Sequence, residues 1–180
     1  DHATPLLDAL RRHGGSTCAP RAGRLVLVTG GVEHDLGALA EMPLSLGGHA
    51  AQQVANLGAA ALAAALAGWP LDALRRVLLR FGAAPEDNPG RLERRAHHGA
   101  TVLLDRAGDP DSLAQLLKLA GALGARRVGL LLGASLVVSG DAGAQTPEDS
   151  ASALAQAAAA YKPDRVVITE PPLAPGQAGH

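Results

Sequence analysis

Three short aliphatic runs, separated by segments of helical length, constrain this chain more than any other feature. Residues 100–105 (Ala-Thr-Val-Leu-Leu-Asp), 127–132 and 165–169 (Arg-Val-Val-Ile-Thr) each read as a strand, the first two as buried ones. Between them, residues 109–123 place Leu113, Leu116, Leu117, Leu119 and Leu123 on apolar faces behind Asp109 or Asp111 as N-terminal residues. Residues 150–161 form a second, alanine-rich helix. Strands that alternate with helices are joined by crossovers, and crossovers align strands in parallel. The second half is therefore expected to be an α/β unit on a parallel sheet of Rossmann-like type.

The first half has a different rhythm. Residues 5–13 carry Leu6, Leu7 and Leu10 ahead of Arg11 and Arg12, the pattern of a short amphipathic helix that stops at Gly14-Gly15. Residues 24–28 (Arg-Leu-Val-Leu-Val) read as a strand broken at Thr29-Gly30-Gly31, and residues 41–46 as another short strand. Residues 49–67 are predicted helical, with Gly58 the one weak propensity, and their small side chains let a neighbouring backbone come close. Gly68-Trp69-Pro70 ends that helix and residues 71–81 begin another, so the two are expected to pack as a hairpin. A loop at residues 82–90 (Gly-Ala-Ala-Pro-Glu-Asp-Asn-Pro-Gly) is the best boundary, dividing a segment 1–89 from a domain 90–180.

Charge and composition then remove several classes of function. Sixteen basic against 17 acidic residues leave a formal charge of -1, which excludes a strongly basic nucleic-acid binder. Phe81, Trp69 and Tyr161 are the only aromatics, too few to stack single-stranded bases. The core must then be built from Ala, Leu and Val. The longest apolar stretch, residues 57–69, is shorter than the ~20 residues a bilayer span needs, so no membrane association is expected. Cys18 has no partner for an intramolecular disulfide and reads as a reduced thiol, in keeping with a cytoplasmic protein. His97-His98 are adjacent, which suits a local hairpin turn better than one chelated ion, and no metal site is expected.

Chemistry in a parallel α/β sheet gathers beyond the carboxyl ends of the strands. The polar residues there are Asp105, then Gly133 and Ser135, then Glu170, and Asp105 is the leading candidate. It reads equally well as a turn or helix-cap carboxylate. Arg91, just after a Pro-Gly turn, suits a phosphate, or else is a solvated surface arginine. No G-x-x-x-x-G-K-[ST] run occurs, so these 180 residues contain no P-loop.

Several segments nevertheless stand in one informative order. Residues 42–64 (Met-Pro-Leu-Ser-Leu-Gly-Gly-His-Ala-Ala-Gln-Gln-Val-Ala-Asn and onward) precede the helix hairpin; Glu86-Asp87-Asn88-Pro89-Gly90-Arg91 follows it. Val102-Leu103-Leu104-Asp105 comes next, and a Lys162-Pro163-Asp164-Arg165-Val166-Val167-Ile168-Thr169-Glu170 run closes the series. Over roughly residues 40–170 this resembles the C-terminal part of the Mur ligase family, in its cyanophycin synthetase-like branch. The resemblance implies that residues 1–89 are part of a central domain and residues 90–180 a Rossmann-like C-terminal domain.

The family joins a carboxylate to an amine through an acyl phosphate, using ATP and Mg²⁺. By resemblance, Asn56 contacts adenine, Arg91 the nucleotide and Asp105 the ribose. Nucleotide and an amino-acid or peptide substrate are the implied partners, and the alanine-rich helix face is a packing surface either within the chain or between chains. The family's Asp-Tyr-Ala-His-Asn-Pro motif stands here as Asp105-Arg106-Ala107-Gly108-Asp109-Pro110, and the asparagine expected three residues before Asn56 is Gln53. Its Gly-Asp-Arg loop is represented by Gly140-Asp141-Ala142. With no P-loop here and no Met before Asp1, two expectations follow. The chain is either the C-terminal portion of an ATP-dependent amide ligase whose ATPase segment lies upstream, or a ligase-like binding or scaffold module that has lost ATPase chemistry.

Overall fold

A computed structural model describes residues 5–133 and 147–169. The chain is mixed α/β and divides into two compact units, Asp1–Leu104 and Asp105–His180. The loop at residues 82–90 lies inside the first of them.

The first unit opens with α1 (Pro5–Arg12) and an antiparallel meander, β1 (Thr17–Arg21), β2 (Arg24–Thr29) and β3 (Val32–Ala38), in the order β1-β2-β3. Ala22-Gly23 and Gly30-Gly31 link the strands as two-residue turns with both residues at positive φ. That backbone matches the right-handed strand twist, so such turns close hairpins locally. The register slips between Leu25 and Val26, where Leu36 is the extra residue on β3. The bulge turns Leu36 into the core, where it is fully buried with Leu25 and Leu27.

Helix α2 (Ala51–Leu66) packs on β1 and β2 through Val54, Leu57, Gly58 and Ala61, and α3 (Leu71–Leu78) packs on α2 and β3. Its glycine is a packing device. A Cβ on Gly58 would lie 3.0 Å from the Cys18 carbonyl oxygen, so the weak helix former sits where helix and strand backbones meet. The expected close approach of a backbone to this helix is thus present, as is the packed helix hairpin.

Three local readings change. Residues 41–46 form no strand. Leu39–Glu41 and Pro43–Ser45 are two 3₁₀ turns, because Pro43 has no N–H to pair and the buried Ser45 hydroxyl donates to the Leu39 and Met42 carbonyls. Helix α3 stops at Leu78 rather than residue 81, with Arg80 and Phe81 amides donating to the Val77 carbonyl in a closing turn.

The third change concerns the parallel sheet. Strand β4 (Glu93–His97) and β5 (Ala100–Leu104) form a two-stranded antiparallel hairpin through His98-Gly99, both at positive φ. The adjacent histidines therefore do mark a hairpin turn. However, β5 is mostly exposed or half-buried, and its described pairing is antiparallel with β4. It is neither the buried strand nor the first parallel strand that its sequence implied. The reason is local: a two-residue turn pairs β5 with its immediate predecessor at little loop-closure cost.

In the second unit, α4 (Pro110–Ala122) precedes β6 (Gly129–Gly133), and α5 (Pro147–Tyr161) precedes β7 (Arg165–Thr169). Strands β6 and β7 pair in parallel, Leu130 beside Val166 and Leu132 beside Ile168. The observed sheets are small, with one parallel pair. Helices α4 and α5 pack together, and Leu113, Leu117, Leu130, Leu154, Ala107 and Ala158 make the core. No aromatic side chain belongs to the fully buried set of either unit; Tyr161 packs half-buried against the second. The aliphatic core required by the composition is what forms. Among the described residues, no helix is long and apolar enough to cross a membrane.

Candidate functional site

A cleft with polar walls lies in the first unit, around the Asp87–Arg91 turn. The turn is held from within. The Asp87 carboxylate accepts the Gly82 and Ala84 amides at 2.9 and 3.2 Å, fixing the loop's entry. Asn88 donates its side-chain amide to the Arg91 carbonyl at 2.9 Å, while the Arg91 amide donates to the Asn88 carbonyl at 3.2 Å. Asx side chains close turns in this way by replacing backbone partners. Gly82 must be glycine here: its φ is +89°, and a Cβ would fall 2.5 Å from the Leu44 side chain.

The result is a cleft of about 240 Å³ walled by Pro43, Leu44, Leu46 and the 82–85 loop on one side, and by Asn88, Arg91, Leu92, Glu93 and Arg94 on the other. Arg91 is exposed at its rim. Glu93 is buried, and its carboxylate accepts the Gly90 amide at 2.9 Å and the Arg95 guanidinium. Those bonds, the Gly90 amide foremost, hold the Glu93 carboxyl below the usual glutamate range. The one carboxylate lining the cleft is therefore already engaged, which leaves the two cleft arginines, Arg91 and Arg94, without an acid partner among the described residues.

Asn56 lies on the exposed face of α2, opposite Val54 and Leu57, and donates to the Gln53 side-chain oxygen at 3.3 Å. The Gln53 and Asn56 amides thus form one carboxamide pair one turn apart, but neither lines the Arg91 cleft. Asp105 opens the second unit, half-buried, and its carboxylate accepts the Arg106 amide at 2.8 Å. That bond is of the kind the turn-carboxylate reading of Asp105 calls for. Four residues on, Asp109 caps α4, its carboxylate accepting the Ser112 hydroxyl and amide at 2.6 and 2.8 Å. The Ser112 hydroxyl, then its amide, keep the Asp109 carboxyl below the usual aspartate range. Of the remaining strand-end positions, Gly133 ends β6; Ser135, Glu170 and the Gly140-Asp141-Ala142 stretch lie outside the described residues.

The second unit has its own, apolar groove of about 430 Å³ between α5 and the parallel pair, lined by Leu132, Leu154, Ala155, Ala158, Val166 and Ile168, with Lys162 at its edge. Burial pushes the Cys18 thiol up to about 11, so it is a protonated packing group. Among the described residues no group of three or more His, Cys, Asp or Glu could hold a metal.

Sequence reasoning missed Arg94, whose only signal was its spacing of three from Arg91. It also missed the loop's internal staples, Asp87 and Asn88, although an Asp-Asn-Pro-Gly run is itself turn chemistry.

No protein-family model matches the chain. It is 31% identical over 111 residues to cyanophycin synthetase of Trichormus variabilis, a match covering 60% of this chain and 12% of that protein. It is likewise 31% identical over 108 residues to cyanophycin synthetase of a Nostoc species, covering 58% of this chain and 12% of that protein. The chain thus spans about an eighth of the length of the curated relatives it matches.

Proposed function

We propose that this chain is the C-terminal portion of an ATP-dependent carboxylate–amine ligase related to cyanophycin synthetase, acting as the side of the enzyme that holds and orients the nucleotide. The observation that carries the reading is the Pro89-Gly90-Arg91 turn, stapled by Asn88, which presents an arginine without an acid partner among the described residues at the rim of a formed cleft. Similarity to a ligase over more than half the chain supports the same assignment. Bound ATP supplies the phosphoryl group that activates a carboxylate for attack by an amine. The chain's own part is positioning. Arg91 binds phosphate oxygens, the Asn56 carboxamide reads a base edge, and the Asp105 carboxylate accepts from ribose hydroxyls. Among the described residues the lining of this cleft does not suit Mg²⁺, since its one carboxylate is already satisfied by Gly90 and Arg95.

Titration calorimetry of ATP into the 180-residue chain tests the assignment. Arg91→Ala and Asp105→Ala should each weaken binding by about 1–3 kcal/mol, the range for losing a hydrogen bond to a charged group. Unchanged affinity in either variant removes that residue from the site. A second reading is favoured by one observation: Asp105 and Asp109 both spend their carboxylates on local backbone amides. On that reading the chain is a ligase-like binding module without ATPase chemistry, and a complete absence of ATP binding by the complete protein, with and without Mg²⁺, would establish it over the first.

A further inference from the structure

We propose that Arg94 acts beside Arg91 as the second cation of a clamp for a linked pair of phosphoryl groups, a pyrophosphate-type anion, in the cleft under the 82–85 loop. The proposal deepens the nucleotide reading and rests on it for the identity of the rest of the ligand; the anion site itself stands on the cleft. Arg91 and Arg94 line the same cavity. Three residues apart, with Leu92 between them turning the chain at a φ of +51°, their Cα atoms are at most ~11 Å from each other, within reach of one bridged dianion.

Their charge is free to act. Arg95, beside them on β4, has an acid partner in Glu93, whereas Arg91 and Arg94 have none among the described residues. Glu93, the acidic residue between them that lines the cleft, is turned to other work: its carboxylate takes the Gly90 amide and Arg95. Strand alternation explains this division, since Glu93 and Arg95 share one face of β4 and Arg94 occupies the other. Local neutralisation of Glu93 by Arg95 thus leaves two uncompensated positive charges at one opening. The facing wall is Pro43, Leu44 and Leu46, low in polarity, which strengthens the attraction of an anion.

Size selects the ligand fragment. At about 240 Å³ the cleft is smaller than the ~300–1,000 Å³ of pockets that enclose a whole drug-sized ligand. It therefore suits the oligophosphate part of a nucleotide, or free pyrophosphate, rather than a complete nucleotide. Arginine's planar fork fits such oxygens two at a time, and two forks fit two linked phosphoryl groups better than one.

The test is calorimetric titration of the 180-residue chain with inorganic pyrophosphate, orthophosphate and ATP, in the wild type, Arg91→Gln, Arg94→Gln and, as a control outside the cleft, Arg76→Gln. Both cleft arginines are exposed, so circular dichroism and thermal midpoint should be unchanged in every variant. Pyrophosphate should bind more tightly than orthophosphate, and Arg94→Gln should weaken it roughly tenfold or more, with Arg76→Gln like the wild type. No pyrophosphate binding by the wild type overturns the clamp, whatever ATP does. If ATP binds and Arg91→Gln alone weakens it, the clamp fails and the nucleotide reading stands. Pyrophosphate binding that needs both arginines, without any ATP binding, keeps the clamp and overturns the nucleotide reading.

Discussion

The β1-β2-β3 meander and the β6–β7 pair are both made of short aliphatic strands, yet they bury very different fractions of themselves. In β2, Leu25, Val26, Leu27 and Val28 are all buried, and strands flank it on both sides. In β7, Val166, Val167 and Ile168 are exposed, Ile168 to 70%, and its described partner is β6 alone. A two-residue turn brings the next strand alongside with almost no chain to order, so an antiparallel meander completes itself from its own neighbourhood. A parallel strand must wait for a helix-length crossover, and its flanks are covered only by elements from elsewhere. The first unit therefore centres its stability on a strand, and the second on the α4–α5 helix pair that supplies Leu113, Leu117, Leu154 and Ala158.

The sharpest test of that contrast is Leu27→Ala. Leu27 is fully buried in β2, so its truncation should cost about 2–5 kcal/mol, read as a fall in the urea midpoint of the first unit. A loss below ~1 kcal/mol would mean the meander is not the centre described.

An intermediate effect is expected at the helix pair. Asp109→Ala removes the N-cap of α4 and should cost ~1 kcal/mol. Because Ser112 depresses the Asp109 carboxyl in the folded chain, its contribution is present at and above the unfolded aspartate range, near ~4. It is lost as pH falls through the folded value. Asp109→Asn keeps a capping oxygen, so its thermal midpoint should fall less steeply than wild type between pH 7 and pH 3. Parallel acid slopes in the two proteins would rule out this role for the cap.

The smallest effect belongs to β7. Ile168→Ala should change stability by no more than ~0.5 kcal/mol, as for an exposed site. A cost above ~1 kcal/mol, rising with protein concentration, would show that the open strand is covered by another copy in solution.

Much of this molecule is legible in its residues because the relevant forces are local. Arg165–Thr169 is a strand at its expected bounds, since a β-branched run after Lys162-Pro163 has little alternative. Asp109 caps α4 because its carboxylate can accept a first-turn amide and Pro110 has its φ preset for the first helical position. Of the three missed strands, β1 and β3 had a signal in Ala22-Gly23 and Gly30-Gly31, whose spacing is that of consecutive hairpins. At the site, Arg91 was legible as a turn arginine. Arg94 was not, because only the fold of Pro43–Ser45 and the 82–85 loop makes the opposite wall of its cleft.

The sequence by itself determined where the helices lie, the Asp109 cap of α4 and the aliphatic composition of both cores. Tertiary structure decided which strand pairs with which. Residues 100–104 have the composition of a buried parallel strand, yet β5 folds back on β4 through His98-Gly99. Tertiary structure also decided which arginines keep their charge. Arg95 spends its own on Glu93 while Arg91 and Arg94 do not, because the pleat of β4 sends Arg94 and Arg95 to opposite faces. Propensity acts within a few residues, whereas pairing and neutralisation depend on what the folded chain brings alongside.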